Sequence, residues 1–186
     1  SSDVLAEALR DPGACGHVMN PEPPTFHFGT EKRLRGLVAE LDGYADAIKA
    51  RTGKRPRKDT AHMLAGVLSY PDDAPKDRYP EWRERSLKWL HKRYGQHLVA
   101  VIEHQDEANP HLHFYCVPRP GESFDVLHEG RAASAAIKRK TAQNGGQHHA
   151  SEMKMAYNRA MRGWQDELHA GVGVHMGLAR MGPRRS

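Results

Sequence analysis

Cysteine is nearly missing from this chain: Cys15 and Cys116 are the two thiols among 186 residues. Two distant thiols make no disulfide framework, which excludes the small stapled secreted scaffolds and points to a reducing compartment. Long apolar runs are missing too. None approaches the length of a membrane span, and no signal-peptide pattern opens the sequence. There is no internal repeat. Charge of one sign is only mildly in excess, 28 Lys and Arg against 23 Asp and Glu, for a net +5 and a pI near 9.3. That balance suits a polyanionic partner without requiring one. Hydrophobic residues make up 38%, enough for a folded chain, and the length suits one domain over residues 1–186 with a sizeable core. The chain opens on Ser1-Ser2-Asp3 rather than methionine, which reads as an incomplete N-terminus. Its basic end, from about residue 180, is expected to fray.

Periodicity divides the rest. Asp3 to Leu9 suits a short helix capped by Ser2 or Asp3. Asp11 to Thr30, with Asn20-Pro21 and Pro23-Pro24, reads as a loop. From Glu31 to Arg51, Leu34, Leu37, Val38, Leu41, Tyr44, Ala45 and Ile48 recur at helical spacing, and Gly53 stops them. A basic cluster, Lys54-Arg55-Pro56-Arg57-Lys58, leads into an apolar segment from Thr60 to Tyr70 that reads as a strand. Pro80 to Tyr94 is amphipathic and helical. Ser123 to Leu127 reads as a further strand, Arg131 to Lys140 as an Ala-rich helix, and Ser151 to His169 as a long helix. The last carries a stripe of Met153, Tyr157, Met161 and Trp164 that is expected to be core. Helices alternating with strands, with turns at Asn109-Pro110 and Pro118-Gly121, imply an α+β fold: a central antiparallel sheet with helices packed on it.

The chemistry concentrates between His104 and His113 (His-Gln-Asp-Glu-Ala-Asn-Pro-His-Leu-His). An apolar, β-branched run, Leu98 to Ile102, precedes it as a strand. His111 to Val117 reads as the next strand, begun by the Asn109-Pro110 turn. Alternation puts His111 and His113 on one face of that strand. If the two strands are neighbours, His104 converges on the pair, and three imidazoles on rigid backbone make an open metal site. The expected ion is divalent, Mn²⁺ or Mg²⁺, with other transition ions accepted in vitro. Asp106 and Glu107 lie in the turn between the ligands. Either can hold a ligand imidazole through its second nitrogen, Glu107 can serve as a fourth ligand, and Asp106 can equally be a turn-forming residue. Arg10, Arg57 and Lys58 are the basic residues proposed for phosphate contacts, with Lys54 and Arg55 in the same cluster.

His104-x-Asp-Glu-x-x-Pro-His-x-His resembles the metal motif of the HUH endonucleases, and among them the MobV-type relaxases, the Mob/Pre plasmid mobilisation and recombination proteins. Arg57-Lys58-Asp59 resembles that family's Arg-Lys-Asp step, and Asn20-Pro21 with His27 resembles its N-terminal Asn-Pro loop. Phe114 to Arg180, with Val117-Pro118 and Gly177-Leu178, also fits its relaxase domain. The resemblance implies an HUH relaxase-like fold and metal-dependent nicking of single-stranded or hairpin DNA at a transfer origin. It implies further a bacterial, cytoplasmic setting and accessory mobilisation or coupling proteins as partners. Two departures stand out. The family's domain opens with a strand ahead of the first helix, and this sequence begins at that helix. The resemblance also implies a catalytic histidine in that helix, in a His-Asn-x-Arg setting. Here the step is Glu7-Ala8-Leu9-Arg10, so Arg10 matches and Glu7 replaces the nucleophile. His17, His27 and the six tyrosines are the substitutes.

Other classes fit less well. A cupin or oxygenase places a carboxylate soon after its His-x-His step, whereas here Glu122 is the first, beyond a Pro-Gly turn. A structural zinc site prefers thiolates, and Cys116 falls on the opposite face from His113. A DNA-binding protein that keeps fold and ion without the nucleophile is the alternative that Glu7 leaves open.

Overall fold

The seven residues of Leu98–His104 are all buried. That is the signature of a central strand covered on both faces, and it explains why the run carries no alternation. The computed structural model of the chain describes residues 2–53, 61–146 and 150–180. Two compact units comprise Ser1–Phe124 and Asp125–Ser186. The first runs α1 (Ser2–Ala8), β1 (Thr25–Phe28), α2 (Glu31–Thr52), β2 (Leu64–Ser69), α3 (Tyr79–Tyr94), β3 (Leu98–His104) and β4 (His111–Cys116). Its sheet has the order β1-β3-β4-β2, each pair antiparallel. The second is built on α4 (Glu129–Gln143) and α5 (Ala150–Leu168). Among the described residues no helix is long and apolar enough to cross a membrane.

Two helices cover one face of the sheet. Leu5, Ala8 and Leu9 of the α1 region and Leu34 and Leu37 of α2 close over Ala100, Ile102 and Tyr115, with Phe26, Met63 and Val117 at the margin. The N-cap Thr30 starts α2 by accepting from Arg33 N, and Gly53 ends it in the left-handed region at φ 71°, as a C-cap glycine does. On the other face α3 packs through Tyr94, stacked on Phe114 at 5.4 Å, and through His91 against Phe28 at 4.6 Å. Gly66, opposite Phe114 on β2, is needed there: a Cβ would stand 2.3 Å from the Phe114 ring.

Several expectations change. The segment from Asp11 to Thr30 is not all loop: Thr25–Phe28 pairs with β3, a four-residue edge strand too short for alternation to reveal. The expected strand at Ser123 to Leu127 is a single 3-10 turn, Phe124–Val126. The stripe on α5 is half-buried, and none of its residues is fully so. It packs on α4, where Ser134 Oγ donates to the Met153 carbonyl (3.0 Å) and Gly130 lies against Tyr157 and Met161. The basic cluster Lys54, Arg55, Arg57 and Lys58 lies outside the described residues, as do residues 181–186 of the tail.

Candidate metal centre and catalytic cleft

Directly opposed residues of an antiparallel pair share a face. His104 is paired with His111 and Ile102 with His113, so the register brings all three imidazoles to one place. Their ring centroids lie 4.7 to 5.2 Å apart. One nitrogen from each lies within 4.8 Å of the others. The second nitrogens settle which atom faces inward. His104 Nε2–H donates to the carbonyl of Ala8 (2.8 Å), one of the carbonyls that the end of a helix leaves without an intrahelical partner. His111 Nδ1–H donates to Asn109 O (2.9 Å). Backbone carbonyls thus do the tautomer-setting work expected of Asp106 or Glu107. His104 Nδ1 is then left buried with no hydrogen-bond partner, a costly state for a polar atom that a coordinated ion relieves. Burial lowers the His104 imidazole below its ordinary value, and burial with the neighbouring His104 and His111 brings His113 to about 3. Both are therefore neutral at physiological pH, as ligands must be. The residues present fit a divalent ion.

The two acids divide their work. Asp106 holds Arg10 in a fork, Nε to Oδ2 at 2.8 Å and Nη2 to Oδ1 at 2.7 Å, and accepts from Glu22 N at 3.1 Å. Burial alone would raise the Asp106 carboxyl, but the Arg10 guanidinium and the Glu22 amide outweigh it and hold it at about 2. Glu107 takes the third bond from Arg10 (2.8 Å) and places the same oxygen 3.8 Å from His111 Nε2 and 3.8 Å from His17 Nε2. Arg10 was expected to meet phosphate. Instead its guanidinium, with the side chain 4% exposed, is spent on these two carboxylates. Arg10 also closes α1. Its N–H donates to Glu7 O and that of Asp11 to Ala6 O, a Schellman pattern with Arg10 at φ 57° where glycine is usual.

Glu7, His17, Val67, Ser69, Asn109, His111 and His113 line one cleft of about 330 Å³ with Arg10 and Glu107. Glu7 and His17 were singled out separately in the sequence; here His17 Nε2 lies 3.8 Å from Glu7 Oε1 as well as from Glu107. His27 is elsewhere. It bonds Glu103 Oε2 at 2.5 Å, on the sheet face opposite His104 by strand alternation, and so stands apart from the cleft. The irregular register between Phe26 and Phe28 brings Phe28 to the same side, toward α3. Glu103 is the functional-looking residue that sequence reasoning missed. It is buried and accepts from Tyr79 OH (2.5 Å), Gln105 Nε2 (2.6 Å) and Arg83 Nη1 (3.3 Å) besides His27. Its signal was an acid directly after an apolar strand.

This geometry defines an α+β domain with an open three-imidazole centre beside an acid-flanked histidine. The family model for the plasmid recombination enzyme (Mob/Pre) matches residues 38–172, and the chain belongs to that family. It is similar to the "65 kDa protein" of Zymomonas mobilis subsp. mobilis, 26% identical over 109 residues. The alignment covers 54% of this chain and 19% of that relative, so the chain spans about a fifth of its length. No solved structure matches the chain.

Proposed function

We propose that residues 1–186 form a relaxase domain that binds DNA at a plasmid transfer origin in the bacterial cytoplasm and cuts one strand with a divalent ion. The observation that carries this reading is the buried, unpartnered Nδ1 of His104 beside His111 and His113, in a chain of the plasmid recombination family. Three imidazoles suit a transition ion better than Mg²⁺, which prefers an all-oxygen shell, so Mn²⁺ is the ion proposed. When bound, the ion supplies a Lewis acid for a phosphoryl oxygen. Glu107 is proposed as a fourth ligand, held for that role by Arg10.

The attacking group in this reading is His17. Its Nε2 forms the P–N bond while the ester oxygen leaves with the electrons of the P–O bond and takes a proton from solvent. The Nδ1 proton of the imidazole returns to solvent, so the step balances. Glu7 and Glu107, each 3.8 Å from Nε2, offset the positive charge that grows on the ring. Arg57 and Lys58, with Lys54 and Arg55, are proposed to meet DNA phosphates. Glu7, standing where the resemblance implies a histidine, supports a second reading: DNA and metal binding without strand transfer.

A nicking assay on supercoiled plasmid bearing the cognate origin, with added Mn²⁺, tests the main reading. The protein is expected to convert it to open circles, and the double variant His111→Ala, His113→Ala to lose both nicking and calorimetric Mn²⁺ binding. Unchanged Mn²⁺ binding in that variant would reject the metal centre. Metal and DNA binding without open circles would favour the second reading.

A further inference from the structure

Charge is shared unevenly along the chain. Residues 125–186 hold ten of the 28 Lys and Arg but five of the 23 Asp and Glu, whereas residues 1–124 hold eighteen of each. The whole net charge of +5 thus belongs to the unit of α4 and α5. No carboxylate occurs between Glu129 and Glu152, nor between Glu152 and Asp166.

The packing of this unit places the cations. Gly130 of α4 faces Tyr157 and Met161 of α5, and Ser134 faces Met153. One helix advances as the other recedes, so the pair is antiparallel. Each residue is turned about 100° from the last in a helix. The residue after a packing position therefore lies on a flank, and in an antiparallel pair that flank is the same side for both helices. Lys154 follows Met153, Asn158 follows Tyr157, and Arg162 follows Met161. On α4, Arg131 follows Gly130, and Lys138 follows the half-buried Ile137. All five are exposed. Lys138, Lys154 and Arg162 have no carboxylate partner among the described residues. Lys154 and Arg162 are about 12 Å apart along α5 at 1.5 Å per residue. In the register set by Ser134 and Met153, Lys138 is about 6 Å from Lys154 along the axis and about 8–10 Å across it, near one Debye length, with Arg162 farther along the same flank. The flank carries no aromatic ring, since Tyr157 and Trp164 sit half-buried in the packing stripe. It therefore lacks the stacking platform that single strands use, while offering the point charges and amide that phosphates and sugars accept.

We infer that this flank binds the phosphate backbone of double-stranded DNA. Lys138, Lys154 and Arg162 each neutralise one phosphate, and Asn158 adds a hydrogen bond. The inference rests on the reading of the chain as a DNA-cleaving domain.

Fluorescence anisotropy of the full chain with a labelled 20-base-pair duplex, titrated at several salt concentrations, tests it. The triple variant Lys138→Gln, Lys154→Gln, Arg162→Gln keeps helix-compatible side chains at exposed positions. It is expected to lower the slope of log K against log salt by about two to three, at roughly 0.9 per phosphate. Its affinity at 0.1 M salt should weaken tenfold or more, with calorimetric Mn²⁺ binding unchanged. Lys88→Gln, which removes a cation paired with Glu84 on α3, should leave the slope as in the parent. An unchanged slope in the triple variant overturns the surface while leaving the relaxase reading intact. A loss confined to a 20-nucleotide single strand overturns the duplex assignment. A parent protein that binds Mn²⁺ but no DNA removes the relaxase reading and this inference together.

Discussion

His17 is 54% exposed in its side chain, on a Gly- and Pro-containing segment that has no regular structure between α1 and β1. Its chemical interest comes only from the two carboxylates beside Nε2. If that nitrogen attacks, a labelled strand should stay with the protein through denaturing electrophoresis, and peptide mapping should place the adduct on His17. His17→Ala should abolish the adduct with Mn²⁺ affinity changed by less than about threefold, since the proposed ligands His104, His111 and His113 are untouched. Because Glu7 lines the same cleft, Glu7→His in the His17→Ala background is expected to restore an adduct. An adduct on a tyrosine, or one that survives His17→Ala, would take the role from His17.

Between elements, the decisive contact is the fork of Arg10 on Asp106 and Glu107. It ties the end of α1 to the turn between β3 and β4, next to the carbonyl of Ala8 that sets the His104 tautomer. Both partners of the main pair are buried, at 4% and 1% exposure. Removing one therefore leaves an uncompensated charge, worth about 3–5 kcal/mol. Arg10→Ala should lose that much stability in urea unfolding and weaken Mn²⁺ binding, because His104 and Glu107 both lose support. Arg10→Gly should recover about 1 kcal/mol of the loss by relieving the left-handed backbone, without restoring the metal affinity. Parent-like stability of Arg10→Ala would show that the fork is incidental.

For the molecule as a whole, the neutral imidazoles make acid the weak side. His113 is lowered from its ordinary 6.5 to about 3 by burial first and by neighbouring charge second. The unfolded chain takes up this proton near 6.5, while the native state refuses it until about 3, so stability is present above that window and falls as pH descends through it. Asp106, lowered from 3.8 to about 2, keeps its contribution until the pH falls below 3.8. The loss from pH 6.5 to about 4.5 is thus carried by the lowered histidines, His113 foremost with His104 and His62. Denaturant unfolding of metal-free protein should show stability falling by a few kcal/mol over that window, and His113→Asn should make the fall shallower. A flat profile in the parent would contradict the buried neutral imidazole.

The sequence by itself determined the helices α2 and α3, the strands β3 and β4, and the set of three histidines. Each depends on a local period of 3.6 or 2 or on a turn between adjacent elements, and such signals travel with the residues. The decapeptide also carried the family, which the match over residues 38–172 bears out. Other features depended on partners distant in the chain. Thr25–Phe28 becomes a strand only because β3 offers its edge, and Arg10 finds Asp106 96 positions away. His27 reaches Glu103 rather than the three clustered histidines because the pairing of Phe26 with Ile102 leaves the next residue on the other face of the sheet. Periodicity marked the apolar stripe of α5, but its depth of burial depends on how much surface α4 covers. Which nitrogen of His104 faces inward was likewise tertiary, because the carbonyl of Ala8, 96 positions away, occupies the other one, whereas His111 is set by Asn109 two residues before it. A side chain's period is local, whereas its hydrogen-bond partner is whatever the completed fold brings within about 3 Å.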